Sequence, residues 1–66
     1  MDITLNGERR QFPQSLTLAD LLHSENLAER RVAVEVNGEI VTRSLHGSHL
    51  LADGDVVEIV HALGGG

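Results

Sequence analysis

The chain has 66 residues, a net charge of -5, no cysteine and one aromatic residue, Phe12. At this length only about 60% of the unfolded chain's surface can be buried, which leaves a thin core of Val, Leu and Ile and no room for an enclosed active site. Five arginines, no lysine and an acidic balance speak against a nucleic-acid partner, which needs clustered cations, and suit docking on a basic protein surface.

Met1 to Asn6 carry no basic region followed by an apolar stretch, and no later segment approaches the roughly 18 apolar residues of a membrane span, so a cytoplasmic protein without a membrane partner is expected. The absence of cysteine fits a reducing compartment. Asp2-Ile3-Thr4-Leu5-Asn6 alternates polar and apolar side chains, as a half-buried strand does, and Asn6-Gly7 supplies the positive backbone dihedrals of a tight hairpin. A second strand follows over Glu8 to Phe12, closed by Pro13, which has no N–H for a sheet ladder. Thr17 then reads as a helix N-cap, with Asp20 in capping-box position and Leu16 and Leu21 spaced as a hydrophobic staple. The helix is expected from Leu18 to Glu25, with Leu18, Leu21 and Leu22 packed on a sheet and Ala19, His23 and Ser24 turned outward.

Val32-Ala33-Val34-Glu35-Val36 predicts a strand with its valines on one side, and Asn37-Gly38 a second hairpin into Ile40-Val41. Thr42 to Ala52 has no periodic pattern and allows at most a short helical turn. Asp53-Gly54-Asp55 is turn chemistry, and the β-branched run Val56-Val57-Glu58-Ile59-Val60 predicts a central strand. Its alternation sends Val57 and Ile59 toward the helix and leaves Glu58 and Val60 on the opposite face, which makes Val60, with Leu63 beyond it, a candidate docking contact. The expected class is α+β: a mixed sheet of four to five strands with one main helix across one face, the element order of a β-grasp fold.

Residues 1–61 are expected to form this domain and 62–66 a flexible tail, because terminal glycines have no side chains to pack and much conformational entropy to lose. Fully extended, five residues reach roughly 17 Å. Gly64 and Gly65 can then thread a slot too narrow for side chains and deliver the carboxylate of Gly66. A frayed end or a linker remnant would show the same glycines. Against that, the glycines follow a hydrophobic strand with no serine-rich spacer, and the chain has no Lys or Cys side chain to intercept its own activated terminus.

Other constellations are weaker. His46-Gly47-Ser48-His49 lacks the four ligands of structural zinc, so no metal site is expected. Asp53, Asp55 and Glu58 make a turn rather than a calcium loop. Ser44, His49 and Asp53 have no cleft or oxyanion hole to make them a triad. No side chain of the chain is expected to be catalytic, and the glycines precede no helix, so ATP chemistry must sit on a partner.

The run from Asp53 through Val56-Val57-Glu58-Ile59-Val60 to Gly64-Gly65-Gly66, the hairpin Val34 to Val41 and the opening Met1 to Glu8 together resemble the ThiS family of sulfur carriers. The resemblance covers nearly the whole chain. It implies a ubiquitin-like β-grasp protein that binds no cofactor stably. The resemblance further implies that its terminal glycine would be adenylated by an E1-like enzyme of the ThiF type, which uses ATP and Mg. A sulfur-donating enzyme would then supply the sulfur of a thiocarboxylate, for a thiazole synthase of the ThiG type to consume in making thiamin. The family's terminal pair falls on Gly65 and Gly66, with Gly66 bearing the acyl-adenylate and the thiocarboxylate. A carrier for another route, such as the small subunit of molybdopterin synthase, or a ubiquitin-like protein modifier remains the alternative.

Overall fold

The computed structural model describes residues 1–61. Two strands, β1 (Asp2–Leu5) and β2 (Glu8–Gln11), pair antiparallel through a turn in which Asn6 and Gly7 have φ of 49° and 82°. Both values are positive, as a two-residue hairpin whose twist matches its strands requires. β2 stops one residue short of Phe12. β1 begins at Asp2, so Phe12 finds only the chain start, where its N–H donates to Met1 O at 2.9 Å and the Met1 ammonium donates to Phe12 O at 2.8 Å.

Helix α1 (Leu18–Ser24) starts at the capping box read from the sequence. Thr17 Oγ1 accepts from the Asp20 N–H and Asp20 Oδ2 accepts from the Thr17 N–H, both at 3.1 Å. Two further first-turn N–H groups, on Leu18 and Ala19, donate to the carbonyls of His49 and His46 at 3.0 Å, so no donor of the helix start is orphaned. The helix ends one residue before Glu25, which serves as the C-cap. Asn26, with φ 61°, donates from its N–H to His23 O, and Leu27 N–H reaches Leu22 O at 2.7 Å. That pair of bonds is a Schellman stop with asparagine in the left-handed position that glycine usually takes.

Strands β3 (Val32–Val36) and β4 (Glu39–Val41) form the second Asn-Gly hairpin, and β5 (Val56–His61) runs between β1 and β3, giving the order β2-β1-β5-β3-β4. The β1–β5 pair is parallel and the β3–β5 pair antiparallel. The sheet is therefore mixed and β5 is central, as its β-branched composition predicts.

The unpatterned stretch holds a 3-10 turn over Arg43–Leu45 and then packs under the helix start. Leu51 is buried and its N–H donates to Leu16 O at 2.9 Å, while Thr17 and Leu50 form a β-bridge. This loop explains why Ala19, expected outward, is half-buried: its N–H bonds into the loop.

The core joins Leu18, Leu21 and Leu22 of α1 to Ile3, Leu5, Val34, Val36, Val57 and Ile59 of the sheet, closed by Leu51, with Leu16, Leu27 and Val32 at its margin. Arg10 clamps β2 to the helix end through Glu25 at 3.1 and 3.3 Å. With so few core residues, each matters. Leu21 is completely buried, and Leu21→Ala is expected to cost about 2–5 kcal/mol, against a total at the low end of the usual ~5–15 kcal/mol for folded domains. Urea denaturation should show the midpoint falling by roughly a third or more with an unchanged slope.

Candidate functional site

β5 is the strand that leads into the C-terminal glycines, so the site is built outward from it. Its side chains alternate: Val57 and Ile59 are buried against the helix, whereas Val56, Glu58 and Val60 lie on the uncovered face. Pairing register extends that face sideways. Val60 stands opposite Ala33, Glu58 opposite Glu35, and Glu35 opposite Ile40 of β4. On the other flank Thr4 stands opposite Val56 and also opposite Arg9.

The face thus presents Val56, Val60 and Ile40, which are 46%, 57% and 70% exposed, around the facing carboxylates of Glu35 and Glu58. Like charges directly across two strands repel. Arg9, on the same face, is already paired with Asp2 at 3.2 Å, and hydrogen bonding by the side chains of Gln11 and Arg9 holds the Asp2 carboxyl below its usual 3.8. An apolar patch around two carboxylates that form no salt bridge among the described residues suits a partner surface that combines apolar and basic side chains.

Two asparagines fasten β5 to its neighbours. Asn37 N–H donates to Val56 O at 2.8 Å, while its side-chain Oδ1 accepts from Val56 N–H at 2.9 Å and its Nδ2 donates to Asp55 Oδ1 at 3.0 Å. Asn6 N–H donates to Val57 O at 2.9 Å, and its side chain accepts from Ile59 N–H at 2.7 Å and donates to Ile59 O at 3.3 Å. Sequence reasoning takes both residues as turn formers and misses the second role. The one signal available for it is that each turn uses Asn, although Asp or Gly would also satisfy the dihedrals.

Among the site residues expected from the sequence, Val60 lies where the alternation places it. Leu63, Gly64, Gly65 and Gly66 lie outside the described residues. His46, paired with His49 on paper, is buried and its Nε2 sits 2.9 Å from Val41 O, a structural bond that ties the loop to β4. Ser44 Oγ lies 3.4 Å from Thr42 Oγ1 and Asp53 accepts from the Asp2 N–H at 2.7 Å, so Ser44, His49 and Asp53 are not joined as a triad. Among the described residues no three His, Asp or Glu side chains gather as metal ligands, and no helix is long and apolar enough to cross a membrane.

A five-stranded mixed sheet of this order, with α1 on one face and the side chains of Val56, Glu58 and Val60 exposed on the other, defines a ubiquitin-like β-grasp protein. Comparison with known proteins narrows the class. The ThiS family model matches residues 3–66, and the chain belongs to that family. It is 40% identical to the sulfur carrier protein ThiS of Bacillus subtilis over 65 residues, 97% of this chain and 98% of that one. The crystal structure of the thiamine biosynthesis protein ThiS from Geobacter metallireducens superimposes with a TM-score of 0.86 at 35% identity, covering all of both chains. The chain is also 44% identical, over its whole length, to part of a thiazole synthase of Paramagnetospirillum magneticum, of which it spans 20%.

Proposed function

We propose that this protein carries sulfur on the carboxylate of Gly66 for the thiazole ring of thiamin, as a co-substrate of partner enzymes with no catalytic side chain of its own. A terminal carboxylate titrates near 3.3–3.7 and is ionised at neutral pH, which makes it a poor electrophile. An E1-like partner of the ThiF type, using ATP and Mg, removes that obstacle. A carboxylate oxygen attacks the α-phosphorus and pyrophosphate leaves; hydrosulfide released by a donor enzyme then attacks the acyl carbon of the mixed anhydride, expelling AMP and losing its proton. The resulting thiocarboxylate is what a thiazole synthase consumes.

Membership of the ThiS family supports this reading most directly, together with a central strand that runs into three terminal glycines. The relative called thiazole synthase, which includes a segment alignable with this entire chain, favours thiazole chemistry over a molybdopterin or protein-modifier role. In this reading the domain docks through the open sheet face, with Val60 and the neighbouring Ile40 and Val56, and with Leu63 beyond. Residues 62–66 form an extended arm whose Gly64 and Gly65 pass through a narrow channel in the partner. The setting is the cytoplasm, where ATP is at hand.

Incubation with ATP, the activating enzyme and a sulfur donor, followed by intact-mass measurement, tests it. The expected product is heavier by the exchange of one oxygen for one sulfur. A chain whose mass stays unchanged under conditions that load the Bacillus subtilis carrier would rule the reading out.

A further inference from the structure

We infer that Asn6 is a positioning residue, which fixes the edge of β5 beyond the end of β1 and so the direction in which the delivering arm leaves the sheet. The pairing of β1 with β5 covers only Thr4 opposite Val56 and Leu5 opposite Val57, after which the chain turns away at Asn6-Gly7. β5 continues to His61. Along a strand, backbone groups address alternate sides, so Ile59, like Val57, presents its N–H and C=O toward the space β1 has just left. The Asn6 carboxamide fills that place as a peptide group would, accepting from Ile59 N–H at 2.7 Å and donating to Ile59 O at 3.3 Å.

The turn by itself does not demand this. Its φ of 49° suits Asn, Asp or Gly. Only asparagine offers a donor and an acceptor side by side, because aspartate has no donor and glycine no side chain. On the opposite edge of β5, Asn37 holds Val56, the strand's first residue, and the pairing with β3 continues to Val32 opposite His61, so Asn6 supplies the hold on the β1 side beyond Leu5.

The consequence rests on the carrier reading. An arm whose base is fixed presents its terminus to the partner's reaction centre from a defined point and direction. Release of Ile59 leaves the end of β5 held on its β3 side alone, where Val32 still stands opposite His61, so the base of the arm keeps its place but loses its fixed direction. Misdirection of the reacting group then lowers the rate, as small errors of placement cost much of the proximity gain. Val60 stays paired with Ala33 and Val56 stays held by Asn37, so the docking face keeps its form and the loss belongs to turnover within the complex and leaves KM alone.

The test compares Asn6→Gly and Asn6→Asp with the unaltered chain. In Asn6→Gly, amide hydrogen exchange should quicken about 10-fold at Ile59, while Val60, which pairs with Ala33, and Val34 and Val36 keep their protection. ATP-dependent activation should show kcat lowered about fivefold at constant KM. Asn6→Asp, which keeps the acceptor and the backbone preference, should fall between. A purely structural role would instead raise exchange throughout the sheet and raise KM as competent carrier is lost. That pattern, or wild-type kcat in both variants, overturns the assignment. If the unaltered chain itself accepts no sulfur, the carrier reading fails, and the exchange data still decide whether Asn6 anchors β5.

Discussion

Removal of Gly65 and Gly66 is expected to abolish sulfur loading while leaving the fold intact. The strands, α1 and the buried cluster that joins them are built from residues within 1–61. The shortened chain should therefore match the parent in its circular dichroism and its urea midpoint. Its new terminal carboxylate, on Gly64, is chemically equivalent to the old one but stops roughly 7 Å short, at about 3.3–3.6 Å per extended residue. A group that must reach within bonding distance of an α-phosphorus gains nothing at that remove, because near-attack geometry requires about 3–3.5 Å between reacting atoms. Pyrophosphate exchange by the activating enzyme should drop to background. Retention of even a tenth of the rate would mean that the delivered group is elsewhere.

The second large effect is expected at Val60. Its side chain projects from the open face and makes no contribution to the core, so Val60→Asp should change stability by no more than about 0.5 kcal/mol. At a docking surface the same change places a charge in the apolar patch it shares with Ile40 and Val56, beside the carboxylates of Glu35 and Glu58. Losing a central apolar contact and burying an unpaired charge together cost about 2 kcal/mol or more at an interface, equivalent to roughly a 30-fold fall in kcat/KM. This loss should appear in KM. The split separates it from Asn6, whose effect lies in kcat, and from the terminal deletion, which removes turnover altogether. An unchanged KM for Val60→Asp would show that the partners grip another face.

Much of this fold is legible in the sequence because its signals are local. Each Asn-Gly pair writes its own hairpin, Thr17 and Asp20 write the helix start, and the alternation of Val56 to Val60 assigns inward and outward residues before any partner strand is known. What escapes is whatever depends on residues distant in the chain. The stretch from Thr42 to Ala52 is ordered by His46 and His49 carbonyls that satisfy the first turn of α1, and a carbonyl acceptor leaves no mark on residue type. The Asn26 stop hides because asparagine replaces the customary glycine. Arg10 and Glu25 read as surface charges until the sheet brings them together.

The site divides in the same way. Val60, and Val56 with it, follows from the period of one strand, whereas the addition of Ile40 needs the register of β3 and β4. The second duty of Asn6 is invisible until β5 is seen to outrun β1. Turn preference explains Asn there already, and nothing local hints that its amide completes a ladder 53 residues away.

The most direct measurement is the location of the sulfur itself. After loading with ATP, the activating enzyme and a sulfur donor, fragmentation of the C-terminal peptide by tandem mass spectrometry should place a single sulfur-for-oxygen exchange on Gly66. Sulfur found on any other residue, or a terminus that emerges unmodified while thiazole synthesis proceeds, would contradict the mechanism.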